Sequence, residues 1–351
     1  MPSSPVMKAV VYERYGSPEA VVQVKDVEKP VPKNDEVLIR VRAASVNPLD
    51  AGLMKGKPHT FRLFFGLPKP RLGRPGVDVA GEVEAVGCDV NEFKPGDAVF
   101  GSCRGAFAEY ACARASQLVR KPGSVTFAEA AAAPVAALTA LQGLRDQGKI
   151  RRGSKVLIHG AAGGVGTFAV QIARSFGAEV TGVCSSRNLE PVRALGADHV
   201  VDYTREDFVD RARRSGKHYD LIFDTYFNHS LSACRTALAP HGIYVLVGGP
   251  PQRWFLGMLA PVVKALALSL FIPQKFVTFI AKSNRQDLDF IAGLMASGEL
   301  RPVIDRTCTL AEAAEAIRYL DLRHARGKVV ISADTAAHTS RNDSRASVSS
   351  A

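Results

Sequence analysis

Paired cysteines are missing from this chain of 351 residues. The six cysteines, spread from Cys88 to Cys308, contain no C-x-x-C pair and form no regular framework. This spacing argues against a fold held together by disulfide bonds. The chain is therefore expected to work in a reducing compartment, with the cytoplasm as the default.

Membrane-directed segments are also scarce. Met1 to Val10 lacks the apolar core of a signal peptide. The most apolar stretch, Trp254 to Ile272, is interrupted by Pro261 and Lys264, and its ends lack a convincing charge asymmetry. We expect no stable membrane span. The stretch is interpreted as a buried pocket wall or a subunit interface, with contact to one face of a membrane as the alternative.

Acidic residues are outnumbered by basic ones, 34 against 45, which gives a formal net charge of +11. Such a surplus can indicate a nucleic-acid-binding protein. Here the basic residues are scattered, and the densest group, Arg211 to Lys217, also fits the solvated end of a helix. No nucleic-acid partner is therefore expected.

The strongest motif lies in the stretch Lys155 to Gly177. It begins as a β-branched strand, passes through glycines at 160, 163 and 166, and continues with helical apolar spacing. Such glycines allow close backbone approach, and the helix after them directs its first N–H groups at a diphosphate. A merely structural turn is the alternative. The pattern predicts dinucleotide binding through Gly160, Ala162, Gly163, Gly164, Val165 and Gly166.

The length and the 46% hydrophobic content allow a large core and favour two domains. Beyond the glycine motif, strands and helices alternate, which requires a parallel sheet covered on both faces. We assign residues 1–128 and 281–333 to a β-rich domain, 129–280 to a dinucleotide-binding domain and 334–351 to a disordered tail. The early strands are predicted at Met7 to Tyr12, Val21 to Val24, Glu36 to Ala43, Asp78 to Val86, Ala98 to Phe100 and Ala106 to Cys112.

Further motifs occur over most of the chain between Met7 and Ile331. They are Ser45 to Asp50, Gly76 to Gly81, Pro95 to Gly101, Ala137 to Ala140, Ala162 to Gly166, Leu195 to Asp198 and Arg326 to Val330. Together they resemble the zinc-independent quinone oxidoreductase branch of the medium-chain dehydrogenases and reductases. The resemblance implies an α/β fold, with a GroES-like β-rich catalytic domain plus a Rossmann doubly wound parallel-sheet domain. It also implies a homodimer joined through a late Rossmann strand, predicted at Phe276 to Ile280.

The resemblance also bears on metal binding. In zinc-dependent relatives a cysteine, a histidine and another cysteine or acid hold the metal. The matching positions here are Asn47, Val77 and Val135, none of which is a good zinc ligand. The four-cysteine structural lobe of those relatives has no counterpart either, since the chain runs directly from Gly101 to Gly105. No bound metal is therefore expected.

The adenosine end of the cofactor is expected where the second Rossmann strand ends. NAD-selective sites usually carry an acidic residue there, whereas this chain has Ser185, Ser186 and Arg187. Hydroxyls and a guanidinium suit a phosphate, and the resemblance places Tyr203 beside the 2′-phosphate. NADPH is therefore the expected cofactor. The alternative is that Arg187 is only the solvated first turn of a helix.

The expected lack of a metal limits the kinds of carbonyl group that the protein can reduce. Reduction of an isolated ketone places a full charge on one oxygen, which zinc stabilises as a Lewis acid. A quinone or an α,β-unsaturated carbonyl spreads that charge, so ordinary hydrogen-bond donors suffice. A conjugated carbonyl or quinone is therefore the predicted substrate, bound in a cleft that is expected to contain no cation.

Several residues are candidates for that cleft. Asn47 is expected to donate to the substrate oxygen, with Asp50 close by and Thr139 near the nicotinamide ribose. Plainer interpretations also exist, since Asn47 begins an Asn-Pro turn and Asp50 can cap a helix. Gly248 and Gly249 are expected where the backbone passes close to the cofactor, and Lys328, in the last matching segment, is assigned to the cofactor site.

No general acid stands out in the sequence. Lys55 and His59 are candidate proton sources in a loop, and water is the alternative. His159, before the glycine motif, is interpreted as a packed strand residue. Phe61, Phe64 and Phe65, with the apolar stretch Trp254 to Phe271, either wall a hydrophobic cleft or pack in the core.

Two other functions are compatible with the sequence. An enoyl-thioester reductase would use its basic charge to attract acyl carriers and would prefer crotonyl-CoA to a simple enone. A non-catalytic NADPH-binding sensor or interaction protein would bind the cofactor without reducing any acceptor.

Overall fold

The computed structural model describes residues 5–56, 62, 66–71, 73–247, 273–322 and 325–333. The strands are β1 (Val6–Val11), β2 (Gln23–Glu28), β3 (Glu36–Val46), β4 (Asp78–Val86), β5 (Ala98–Ser102), β6 (Tyr110–Arg114), β7 (Leu118–Arg120), β8 (Lys155–His159), β9 (Glu179–Cys184), β10 (His199–Asp202), β11 (Tyr219–Asp224), β12 (Leu238–Leu246), β13 (Lys275–Thr278), β14 (Ile304–Thr309) and β15 (Lys328–Ser332). The α-helices are α1 (Pro18–Val21), α2 (Pro48–Lys55), α3 (Phe127–Ala132), α4 (Pro134–Gln142), α5 (Gly164–Ser175), α6 (Leu189–Ala194), α7 (Phe208–Ser215), α8 (Leu231–Ala237), α9 (Arg285–Ser297) and α10 (Ala313–Asp321).

A parallel sheet dominates the middle of the chain. Among the described residues its strand order is β10-β9-β8-β11-β12-β13. Both faces are covered, because Val156 and Ile158 of β8 pack into one apolar cluster with α5 whereas Leu157 packs into a second cluster with α7 and α8. Chain order reverses between β8 and β11, which is where doubly wound sheets bind their ligands.

The second large sheet is mostly antiparallel and joins strands from residues 36–120 to strands from residues 304–332. Within the described residues its order is β14-β15-β3-β4-β5-β7, and β6 also pairs with β3. Since β15 is antiparallel to β3 and β3 to β4, residues far apart in sequence become neighbours on adjacent strands. The predicted α/β fold class is confirmed, while the exact domain boundaries stay a prediction.

Local details differ from the sequence-based expectations. Val21 to Val24 is not one strand, because Pro18–Val21 forms a short helix with proline at its start and the strand begins at Gln23. In the predicted strand Ala106 to Cys112, the regular ladder begins only at Tyr110. The predicted tail 334–351 and the apolar stretch from Trp254 to Ile272 lie outside the described residues.

Candidate cofactor and substrate site

The glycine motif forms a strand, a tight turn and a helix, as predicted. Gly160 has φ +84°, and a Cβ there would lie 2.3 Å from Thr225 Oγ1. A Cβ on Gly166 would lie 2.0 Å from the carbonyl oxygen of Gly160, so the first turn of α5 packs directly on the loop. The first N–H groups of a helix have no intrahelical partner. This geometry fits a cofactor diphosphate, although binding by the individual loop residues stays a prediction.

The mostly antiparallel sheet meets this turn at the start of β15. Gly163 and Gly327 form an isolated parallel bridge, and a Cβ on Gly164 would lie 3.2 Å from Cδ of Lys328. The aliphatic part of Lys328 therefore lies against the start of α5. Its position agrees with the predicted cofactor site, but its ammonium group makes its contacts elsewhere.

A buried polar cluster surrounds Asp78 at the start of β4. Its carboxylate accepts hydrogen bonds from Ser45 Oγ at 2.7 Å, Asn47 Nδ2 at 2.9 Å and the Val135 N–H at 2.9 Å. Lys328 Nζ donates to Asn47 Oδ1 at 2.7 Å and lies 3.4 Å from Asp78 Oδ2. The side chains of Lys328 and Asp78 are 4% and 0% exposed. Neither the fixed ammonium nor Asp78 was identified from the sequence as part of the substrate site.

Hydrogen bonds to neighbouring residues hold the side-chain amide of Asn47 in place. Its Nδ2 donates to Asp78 Oδ2 and, at 3.3 Å, to the carbonyl oxygen of Ser45, while its Oδ1 accepts from Lys328. Both amide hydrogens are thus engaged and the residue is 2% exposed. Direct donation from Asn47 to a substrate oxygen, as expected from the sequence, would require one of these bonds to break. The expectation of a cleft without a cation stays a prediction, and the ammonium group of Lys328 lies beside Asn47.

Asp50 acts as a helix cap. Its carboxylate accepts from the N–H of Asn47 at 2.8 Å and from the N–H of Gly76 at 2.9 Å. Burial raises the pKa of Asp50 to about 6, even though both hydrogen bonds favour the charged form. The plainer of the two interpretations of Asp50 therefore accounts for its contacts, and a catalytic role stays a prediction.

Thr139 is half-buried on α4, the helix whose start meets Asp78. Its Oγ1 donates to the carbonyl oxygen of Val135 at 2.6 Å, and the N–H of Val135 is bound by Asp78. The hydroxyl oxygen keeps its capacity to accept a hydrogen bond. Contact with the nicotinamide ribose stays a prediction.

The residues predicted for the adenosine end of the cofactor lie at the ends of β9 and β10. Arg187 is exposed in a short 3₁₀ turn, and Tyr203 is 59% exposed after β10. Ser186 Oγ donates to Asp202 Oδ2 at 2.5 Å and lies 3.0 Å from Thr204 Oγ1. Sequence reasoning placed no carboxylate here, because Asp202 comes from the third Rossmann strand and is brought beside Ser186 by parallel pairing of β9 and β10.

A second buried cluster is centred on Asp224 at the end of β11. Its carboxylate accepts from the N–H groups of Tyr226 at 2.7 Å and Phe227 at 2.9 Å, and from Tyr244 Oη at 2.6 Å. His159 Nδ1 lies 3.0 Å from it, so the predicted packed ring also has a polar partner. Burial and the neighbouring carboxylate raise the pKa of Tyr244. The cluster holds the loop after β11 beside the glycine turn.

Some candidates fall elsewhere. Gly248, Gly249, His59 and the three phenylalanines at 61, 64 and 65 lie outside the described residues. Lys55, proposed as a proton source, forms an ion pair with Asp321 on α10.

The part of the chain that the structure describes contains no group of three or more His, Cys, Asp or Glu side chains arranged to hold a metal ion. The matching zinc-ligand positions surround the first cluster instead. Asn47 is bound to Lys328, Val77 precedes Asp78, and Val135 donates to Asp78. No helix among the described residues is long and apolar enough to span a membrane.

Comparisons with known proteins agree with this architecture. Residues 33–123 match the family model described as alcohol dehydrogenase GroES-like domain, and residues 195–331 match that of a zinc-binding dehydrogenase.

Curated relatives and solved structures cover almost the entire chain. It is 34% identical over 336 residues to a chloroplast envelope quinone oxidoreductase homolog of Arabidopsis thaliana, covering 93% of this chain and 98% of that protein. An NADPH-dependent alkenal/one oxidoreductase of the same plant, also chloroplastic, is 33% identical over 339 residues, with 93% and 79% covered. The structure of a quinone oxidoreductase from Coxiella burnetii superposes with a TM-score of 0.82 at 30% identity, covering 94% and 100%. The chain therefore belongs to the quinone oxidoreductase-like branch of the medium-chain dehydrogenase/reductase superfamily.

Proposed function

We propose that this protein is an NADPH-dependent oxidoreductase that transfers a hydride to a quinone or an α,β-unsaturated carbonyl without a catalytic metal. The main support is the junction at Gly163 and Gly327, where the phosphate-binding turn of one domain meets the buried Lys328 cluster of the other. The relatives named quinone and alkenal/one oxidoreductases support the same substrate class.

Bound NADPH would supply the hydride. The start of α5 would bind the diphosphate through its free N–H groups, since a helix N-terminus favours negative charge. The mostly antiparallel domain would meet the cofactor at the same turn through the start of β15, since Gly327 bridges to Gly163. Closing such a site removes water and strengthens each electrostatic contact within it.

The direct test is a panel of acceptors. Oxidation of NADPH is followed by its absorbance with quinones, enones, simple aldehydes and crotonyl-CoA. We expect conjugated acceptors to react at least about tenfold faster than the aldehydes, because their charge is delocalised. Faster reduction of crotonyl-CoA than of any simple enone would favour an enoyl-thioester reductase. Tight NADPH binding without reduction of any acceptor would indicate a sensor instead.

Selectivity for NADPH is the finer part of the proposal. Arg187 is exposed next to Ser186 in the chain, and Tyr203, whose N–H bonds to the carbonyl of Cys184, is exposed after the adjacent strand. A guanidinium can bind a phosphate with two parallel hydrogen bonds. Arg187→Ala is expected to raise the KM for NADPH by about tenfold, the equivalent of one charge-assisted hydrogen bond, and to leave the KM for NADH unchanged.

The matched control for that prediction is Arg193→Ala. Arg193 is also on the surface of this domain, but it pairs with Glu190 on α6. Equal KM ratios in wild type and Arg187→Ala would show that Arg187 is only a solvated helix start.

The remaining proposals concern the oligomeric state of the protein and its cellular location. β13 is the last strand of the parallel sheet in the described part of the chain and pairs there with β12, which supports the proposed homodimer. Ultracentrifugation that finds only monomer would contradict it.

All six cysteines are free thiols, which supports a reducing compartment, and we propose the cytoplasm.

A further inference from the structure

Lys328 is an unusual lysine in this structure. The side chain is 4% exposed, its stem lies against Gly164, and its Nζ contacts Asn47 and Asp78. Taking an ammonium group out of water is costly unless partners compensate for the lost hydration. A buried lysine at a domain junction therefore needs a physical explanation.

The hydrogen-bonding needs of Asp78 do not explain why Lys328 is buried beside it. Its carboxylate already accepts three bonds of 2.7 to 2.9 Å from Ser45, Asn47 and Val135. The Lys328 contact, at 3.4 Å, is longer than any of these. The carboxylate supplies compensating charge to the ammonium, rather than depending on it to complete its own hydrogen bonds.

The ammonium group retains donor capacity. An ammonium carries three N–H groups, and the described residues provide Lys328 Nζ with two acceptors, Asn47 Oδ1 and Asp78 Oδ2. Burial also lowers the pKa of Lys328, while Asp78 and Asp50 act in the opposite direction. An incoming oxyanion would be a strong third acceptor for an ammonium whose side chain is only 4% exposed.

We propose that Lys328 is a catalytic residue that donates a hydrogen bond to the substrate oxygen that becomes negatively charged, with Asn47 and Asp78 as positioning residues. This proposal rests on the proposed function. As a hydride adds to the conjugated carbon, the π electron pair moves onto the oxygen. Lys328 keeps its proton and stabilises that oxyanion through its N–H. Water then supplies the proton that completes the enol, ketone or hydroquinone.

The test uses a stable oxyanion in place of the reacting one. 4-Nitrophenolate resembles a hydroquinone anion, and its absorbance distinguishes it from 4-nitrophenol. It is titrated against the full-length protein with and without NADP⁺, and nitrobenzene serves as the uncharged analogue. The wild type is expected to lower the pKa of the bound phenol by about one unit, which corresponds to roughly tenfold tighter binding of the anion.

Lys328→Met, which keeps the length of the side chain, is expected to lose this preference and to bind nitrobenzene unchanged. The titration without NADP⁺ separates this role from cofactor binding, because the stem of Lys328 also lies against the start of α5. The control is Lys121→Met, since the Lys121 ammonium donates to the carbonyls of Pro122 and Val125 instead. If Lys328→Met does not fold, the charge-neutral pair Lys328→Met/Asp78→Asn replaces it.

The proposal is overturned if the wild type binds the phenolate no better than nitrobenzene, or if the preference survives the loss of Lys328. Because the probe requires no turnover, this result is independent of the acceptor panel. A protein that reduces no acceptor would contradict the proposed function without changing the phenolate measurement.

Discussion

Gly166→Ala is expected to weaken NADPH binding by at least about a hundredfold, a loss of roughly 3 kcal/mol. The new Cβ would lie 2.0 Å from the carbonyl oxygen of Gly160 and 2.8 Å from Cα of Ala161. Both are backbone atoms, so no side-chain rotation relieves the overlap. The start of α5 must move away from the turn, and its N–H groups then no longer point at the diphosphate.

Stability should fall together with affinity. Overpacking at a buried position typically costs about 1–3 kcal/mol, and Gly166 is buried between the helix and the loop. Chemical denaturation measures this loss, and fluorescence titration measures NADPH affinity.

Gly293→Ala is the matched control for Gly166→Ala. A Cβ there meets nothing within 4 Å, and the residue lies inside α9. Alanine in a helix is expected to stabilise it by about 0.5–1 kcal/mol, with NADPH binding unchanged. If Gly166→Ala bound NADPH within about threefold of the wild type, the glycine turn would not be the diphosphate site.

Asp224→Ala is expected to reduce the free energy of unfolding by about 3–5 kcal/mol, the usual cost of breaking a buried charged network. Asp224 is 0% exposed. Its removal leaves the N–H groups of Tyr226 and Phe227 and the hydroxyl of Tyr244 without their acceptor. Phe227 has φ +51°, a strained conformation for a bulky residue that this acceptor helps to hold.

The contribution of Asp224 to the free energy of unfolding should depend on pH. Burial alone raises the pKa of Asp224, but the hydrogen bonds from His159, Phe227 and Tyr244 outweigh it and lower the pKa to about 2. A depressed carboxyl pKa stabilises the fold above the unfolded-state pKa of about 4, and this stability is lost as the pH falls from about 4 to about 2. The free energy of unfolding of Asp224→Ala should therefore lack this decrease between about pH 4 and about pH 2.

Tyr244→Phe separates the hydroxyl from the rest of the Asp224 network. It removes the 2.6 Å bond to Asp224 and preserves the ring packing against Phe276, so a loss of about 1–2 kcal/mol is expected. The free energies of unfolding of the wild type, Asp224→Ala and Tyr244→Phe are compared by denaturation at neutral pH and at about pH 3. Equal losses in Asp224→Ala and Tyr244→Phe would contradict the assignment of Asp224 as the centre of the cluster.

Local sequence determined most of the helices and strands and the glycine turn. The glycines at 160, 163 and 166 follow a β-branched strand and precede a helical pattern, and each of these signals acts within a few residues of the next. The fold class followed because alternating strands and helices leave few ways to cover a parallel sheet. The helix cap at Asp50 was also readable, since a cap depends on residues three positions apart.

Tertiary structure alone decided the polar centre of the site. Lys328 and Asn47 are 281 positions apart and meet because β15 pairs with β3. Asp78 and Asp202 were passed over for the same reason, since their partners come from neighbouring strands. Periodicity and spacing report which face of an element is apolar, whereas the contacts between side chains of different elements depend on strand order and register, which short-range patterns do not contain.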